Sequence, residues 1–251
     1  MSIIKTTLLS HIFNEEYLLP FWLNHHKNMF DQIIIIDYNS TDKSIEICKS
    51  ICPECQIIKT INKDFGAVNV DIEVMDIENK IDGIKIVLNT TEFLFCVKSV
   101  KDIFSDKKNK AHAITCITPY SSNSYNINNL NELFTNLLND DIVYHYDRGI
   151  RIIHTFPNGN YTTGRHSTLN NCSITDDAFI LWFGYYPMND NLLKRKLQIK
   201  QNVPQGDIDT RAGFQHLFSE DKILQINLEK AKTGRKIENV NIFLHNLLNN
   251  L

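Results

Sequence analysis

The chain has 251 residues, of which 43% are hydrophobic, 10% aromatic and 22% charged. That composition excludes a disordered or collagen-like polymer, and the length suffices to bury a core without covalent staples. With 26 basic and 29 acidic residues the formal net charge is -3, so no overall basic field draws the chain to nucleic acid. In chain order, Ile3 to Leu9 reads as a first strand. Asn14 is placed to cap the next helix, with Glu15 and Glu16 in its first turn, where carboxylates complement the dipole. Leu18, Leu19, Trp22 and Leu23 recur at helical spacing, and Pro20 lies near the start, where a missing donor matters least.

Gln32 to Asp37 holds the run Ile33-Ile34-Ile35-Ile36, which suits a parallel strand buried on both faces. Asn39 to Asp42 is a turn, and Thr41 or Asp42 is placed to cap a helix from Lys43 to Ile51. Gln56 to Thr60 is a third strand. Residues 66–81 read as a helix with Val68, Ile72, Met75 and Ile77 inward, and Ile84 to Leu88 as another buried strand. Ala113 to Thr118, Val143 to Tyr146 and Ile150 to Thr155 read as extended. Lys101 to Lys110 and Ser121 to Asn131 read as loops, and Asn158-Gly159-Asn160 as a turn. Phe179 to Tyr185 is an aromatic-rich strand, Leu192 to Gln201 a basic helix, Gln205 to Gly213 a polar loop. Ile242, Leu244, Leu247 and Leu248 mark an amphipathic terminal helix over 237–251.

No stretch approaches the ~18 apolar residues of a membrane span, and no targeting signal is visible. Cys48, Cys52 and Cys55 include a C-x-x-C, but no second ligand pair follows, so zinc is not expected. The six cysteines read as unpaired thiols of a reducing compartment. The Ile- and Asn-rich texture fits an AT-rich genome, such as a large DNA virus or a low-GC microbe. A cytoplasmic location is expected, in the host cytoplasm if the source is viral.

Alternating strands and helices at the start predict a doubly wound α/β sheet. Ligands bind such sheets outside the carboxyl ends of the strands. Polar clusters fall at three of those ends: His11 to Glu16, Asp37 to Asp42, and Asn89 to Glu92. No Gly-x-Gly-x-x-Gly follows the first strand and no Walker A loop occurs, which argues against a dinucleotide dehydrogenase and a P-loop ATPase.

Phe13-Asn14-Glu15-Glu16-Tyr17-Leu18-Leu19-Pro20-Phe21-Trp22-Leu23-Asn24-His25-His26 resembles the opening of family 2-like glycosyltransferases with the GT-A fold. Ile36 to Ser44 is similar to their nucleotide-binding turn. Leu88-Asn89-Thr90-Thr91-Glu92-Phe93-Leu94 sits where they carry Asp-x-Asp-Glu-Phe-Leu. Gly164-Arg165-His166-Ser167 resembles their Gly-x-His segment, and Arg195-Lys196-Leu197-Gln198 and Gly213-Phe214-Gln215-His216 resemble a subgroup's C-terminal signature. The resemblance spans residues 3–220 in order.

The resemblance implies a GT-A-like, Rossmann-type, mostly parallel sheet flanked by helices. One domain over 1–251 is expected, with a nucleotide-binding half to about residue 95, an acceptor-side half to about 236, and the terminal helix. It implies transfer of a hexosyl or pentosyl unit from a UDP- or GDP-sugar to a glycan or other hydroxyl acceptor, with inversion. Asn14, Glu15, Asp37, Asn39 and Ser40 would line the nucleotide pocket, although Asn14 and Asp42 also read as plain helix caps. Glu92 and Asp207 are candidates for the general base. Arg165, Arg195, Lys196, Gln215 and His216 would contact diphosphate or acceptor. The metal-binding carboxylates are replaced by Asn89 and Thr91, poor ligands for Mn or Mg. Three readings stay open: a metal held by Glu92, His166 and the diphosphate; metal-independent catalysis by basic residues; or an inactive nucleotide-sugar or glycan-binding module.

Overall fold

The computed structural model describes residues 4–105, 108–210 and 214–249. β1 (Thr6–Ile12), α1 (Leu19–His26), β2 (Gln32–Asp37), α2 (Ser44–Ile51) and β3 (Gln56–Lys59) alternate, and α3 (Ala67–Glu78) leads to β4 (Ile84–Val87). β2 runs parallel to β1 and β3, and β4 runs parallel to β1 on its other side. The isoleucines of β2 are buried, as a strand covered on both faces requires. Alternation along each strand decides which layer a side chain joins. Leu8, Ile33, Ile35, Ile84 and Ile86 pack with Trp22 and Leu23 of α1 and Cys48 of α2. Leu9, Ile34, Ile36 and Val87 pack with Val70 and Val74 of α3.

The later elements are β5 (Glu92–Cys96), β6 (Ala111–Tyr120), α4 (Leu130–Thr135), β7 (Val143–His145), β8 (Ile150–His154), β9 (Ser173–Trp182), α5 (Asp190–Gln198), α6 (Gln205–Thr210), α7 (Glu220–Thr233) and α8 (Glu238–Leu248). They extend one nine-stranded sheet in the order β3-β2-β1-β4-β8-β6-β9-β5, with β7 paired to β6. β8 is antiparallel to β4 and β6, β9 is parallel to β6, and β5 is antiparallel to β9. The α/β class expected from the sequence is thus present: the first four strands are all parallel, and antiparallel pairings enter only with the later strands.

Several local expectations are corrected. β1 extends to Ile12, and Ile3 lies outside the described residues. α1 begins at Leu19 with no acidic residue in its first turn, so Asn14 does not cap it. In α3, Val68 and Ile72 are 47% and 49% exposed, while Asp71, Glu73 and Glu78 are buried. The acids turn inward because each finds a partner: Arg165 for Asp71, Tyr38 and Thr60 for Glu73, His154 and Tyr161 for Glu78. Residues 205–210, expected in a loop, form α6, and α7 had no sequence expectation at all. In α8, Val240 and Leu244 face inward while Ile242 is exposed. Cys52 and Cys55 are joined by a disulfide rather than standing as thiols. No helix among the described residues is long and apolar enough to cross a membrane.

Candidate active site

β1 leads into α1 on one face of the sheet, and β4 is reached through α3 on the other. The crevice at the carboxyl ends of β1 and β4 is therefore the topological switch point, where open α/β sheets bind ligands. Because β8 runs antiparallel to β4, its first residues, Ile150 and Arg151, also arrive at this end.

One wall is built from the turn after β2. Asn14 and Asn39 adopt left-handed backbone at φ 52 and φ 61, a region asparagine enters more readily than most residues. Asn14 Oδ1 accepts from Thr41 N at 2.7 Å, and Ser40 Oγ accepts from Asn14 N at 3.1 Å. Asp37 Oδ1 accepts from Ser40 N at 2.9 Å. Its other carboxylate oxygen has no protein partner among the described residues. Asp42 bonds Ser44 N and Glu16 N, a helix-start role. Glu15 is buried and takes a bidentate pair from Arg195, Nε at 2.5 Å and Nη2 at 2.6 Å. Gln198 Nε2 donates to Asn14 O at 2.6 Å, so α5 is clamped to the β1 loop.

The opposite wall is cationic. Arg165, at φ 57, pairs with Asp71, donates to Asn89 Oδ1 at 2.8 Å and lies 3.4 Å from His11 Nδ1. It therefore bridges the end of β1 and the residues that follow β4. Glu92 is fully buried and accepts from Arg151 through both oxygens, at 3.0 and 2.5 Å, and from Asn89 N at 2.9 Å. Burial alone would raise its carboxyl pKa, but Arg151 and Arg148 outweigh that and hold it at about 2. The guanidinium of Arg148 lies 4.5 Å over the Trp182 ring, whose Nε1–H donates to Thr91 Oγ1.

His166 has Nδ1 3.1 Å from Arg151 Nη1 and Nε2 3.3 Å from Arg148 Nη1. Burial and these two arginines lower its pKa to about 4, so the ring is neutral. His11 is pushed well down by burial and by Arg165, and His216 falls to about 4 through burial, Lys196 and Arg195. Lys196 donates to Gly184 O at 2.9 Å and lies 4.0 Å over Tyr185. Burial, then Arg195 and Arg148, bring its pKa to about 7.

Asn14, Asp37 and Ser40 are joined by direct contacts, Glu15 pairs with Arg195, and Glu92, His166 and Arg165 are linked through Arg151 and Asn89, while Lys196 contacts Gly184, Trp182 and Tyr185. Asn39 is exposed on the turn after β2. Asp207 instead accepts from Ala67 N at 2.7 Å, capping α3 from α6. The Gln215 side chain and Gly213 lie outside the described residues. Sequence reading overlooked Arg148, Arg151 and Asp71. Arg151 had a signal, a charge inside the apolar run Ile150 to Ile153, which is costly unless it is paired.

The donor set does not fit a divalent cation. Asn89 Oδ1 is taken by Arg165, Thr91 Oγ1 by Trp182, both Glu92 oxygens by Arg151, and both His166 nitrogens face guanidinium groups. No cluster of three or more His, Cys, Asp or Glu suited to a metal occurs among the described residues. Both residues expected to hold a metal are engaged by protein cations here: Glu92 receives Arg151, and His166 lies between Arg148 and Arg151.

No protein-family model matches the chain, and no curated protein matches it in sequence. Among solved structures it is similar to S. aureus TarS, with a TM-score of 0.47 at 11% identity over 93% of this chain and 44% of that one. It is also similar to TarS 1-349 in complex with UDP-GlcNAc, at 0.44 and 12% identity over 79% and 66%. A third is glucosyl-3-phosphoglycerate synthase from Mycobacterium tuberculosis with Mn2+, UDP and glucosyl-3-phosphoglycerate, at 0.35 and 10% identity over 45% and 44%. The chain spans two thirds or less of each of these proteins. These TM-scores are low, so the α/β architecture rests on the strand order and register given above.

Proposed function

We propose that the chain is a glycosyltransferase, moving a hexosyl or pentosyl unit from a UDP- or GDP-sugar to a hydroxyl acceptor by single displacement. The observation that carries this reading is the gathering of Arg148, Arg151, Arg165 and Lys196 around Glu92, Asn89 and Trp182, beyond the carboxyl ends of β1 and β4, at the end of the sheet that also carries the Asp37 turn. A phosphate-rich ligand matches the cations, and a strand-end carboxylate with one open oxygen matches the donors of a base or ribose. Asn14, Asn39 and Ser40 shape that turn, and Glu15 holds Arg195 in place. One domain would carry both halves, nucleotide side first.

In the reaction the acceptor oxygen attacks the anomeric carbon as its bond to the diphosphate oxygen breaks. The electron pair leaves with the diphosphate, and the hydroxyl proton passes to a neutral group of the crevice or to water. Positive charge grows on the sugar and negative charge on the leaving group, which preorganised cations stabilise. Glu92 and Asp207, the expected bases, have anchoring roles in this reading, because each is already committed to protein donors.

The test is a thermal-shift screen of UDP, GDP, CDP and their sugars, followed by transfer assays on whatever binds. A uridine or guanosine diphosphate sugar is expected to raise Tm by linkage, and Asp37→Ala to abolish the rise in a folded protein. A full rise in the variant removes Asp37 from the pocket. No shift with any nucleoside diphosphate ends the reading, and binding without transfer reduces it to a nucleotide-sugar-binding module.

A further inference from the structure

The charges of the crevice do not balance. Glu15 is matched by Arg195, Asp71 by Arg165 and Glu92 by Arg151. Arg148 and Lys196 are left over. Arg148 reaches only the already bonded Glu92, at 3.6 Å, and the neutral His166. Its buried Nε has no hydrogen-bond partner. Lys196 has no carboxylate among the described residues within ion-pair distance, and one backbone carbonyl takes one of its three donors. The two cations share an aromatic platform: Arg148 lies on Trp182, Lys196 lies on Tyr185 and 5.8 Å from Trp182, and the two rings are 5.8 Å apart. Rings hold the cations without neutralising them. Burial and Arg151 bring Arg148 down to about 10, and burial, then Arg195 and Arg148, lower Lys196 to about 7. A bound anion offsets both the burial and the like charges.

We infer that Arg148 and Lys196 form a metal-independent clamp for the diphosphate of the donor, standing where a divalent cation would otherwise be required. The inference rests on the nucleotide-sugar reading of the crevice. A guanidinium offers a planar fork to phosphate oxygens and an ammonium a compact charge, so together they match two linked phosphates better than one. As the anomeric bond breaks, the electron pair left on the diphosphate oxygen meets charges already in position.

The experiment is calorimetric titration of the full chain with UDP, UMP, GDP and GMP, in excess chelator and in Mn2+. The diphosphate is expected to bind equally well in both conditions. Arg148→Ala and Lys196→Met should each weaken it by about tenfold or more, the loss of a charge-assisted bond, and the monophosphate by much less. Binding that collapses in chelator and returns with Mn2+ overturns the clamp but leaves the glycosyltransferase reading standing. Variants that bind diphosphate like the parent also overturn it. Failure of every nucleoside diphosphate in both conditions overturns the underlying reading instead. Should Arg148→Ala not fold, Lys196→Met and the chelator comparison decide the matter.

Discussion

Arg151 is among the largest fully buried side chains, and it is tolerated because Glu92 receives its guanidinium through two parallel bonds. A buried pair contributes little net stability, but breaking one strands the other charge. Glu92→Gln is therefore expected to destabilise the protein by roughly 3–5 kcal/mol in denaturant unfolding. The carboxyl is held at about 2, below its ordinary 4.5, so its contribution is present above 4.5 and lost as pH falls from there toward 2. That acid-side loss should be shallower in the variant. A Glu92→Gln protein as stable as its parent but without turnover would restore Glu92 as the base. Only half of this pair was legible in the sequence. A charge inside the β8 run announces that a partner exists; that the partner is 59 residues away follows only from β8 lying antiparallel against β4.

At the scale of elements, α3 shows where periodicity misleads. Val68, Ile72 and Met75 recur at helical spacing, but so do Val70 and Val74, and the second set faces the sheet. Apolar spacing alone does not choose between them. The choice is made by Asp71, Glu73 and Glu78, whose partners come from the β2–β3 region, from β8 and from residues 161–165, none of them visible locally. The two faces are separable by mutation. Val74→Ala should cost about 1–3 kcal/mol, whereas Ile72→Ser, half exposed, should stay within about 0.5 kcal/mol. Urea midpoints at unchanged m-value measure both, and the reverse ranking would restore the orientation expected from sequence. The same limit explains α6, whose polar residues carry no apolar stripe, and Asp207, which was expected at the reacting centre but caps α3.

Across the whole molecule, the parallel half was legible because each strand and helix announces itself within a dozen residues. The later half was not, because β5 pairs with β9 and β8 with β4 across long stretches of chain. The candidate site joins these two kinds of region. The β1 loop and the Asp37 turn come from the legible half, while Arg148, Arg151, Arg165 and α5 are delivered by long-range pairing. The sequence therefore pointed to the crevice but not to the ionic partners that fill it.

The joint between the halves is itself testable. Glu15 on the β1 loop and Arg195 on α5 are 180 residues apart and form a bidentate, largely buried pair, backed by Gln198 on Asn14 O. Removing one partner should cost more than removing both, because the survivor is left desolvated and unpaired. Arg195→Met is expected to destabilise by about 3 kcal/mol or more, and the double variant Glu15→Gln/Arg195→Met to recover part of that loss. Hydrogen exchange should locate the effect: amides of residues 14–16 and 190–198 lose protection in Arg195→Met, while β2 and β3 keep theirs. Because Lys196 follows Arg195 on the same helix, diphosphate affinity should fall along with that protection. Additive single and double variants, or unchanged exchange on both segments, would mean that the pair does not hold the two halves together.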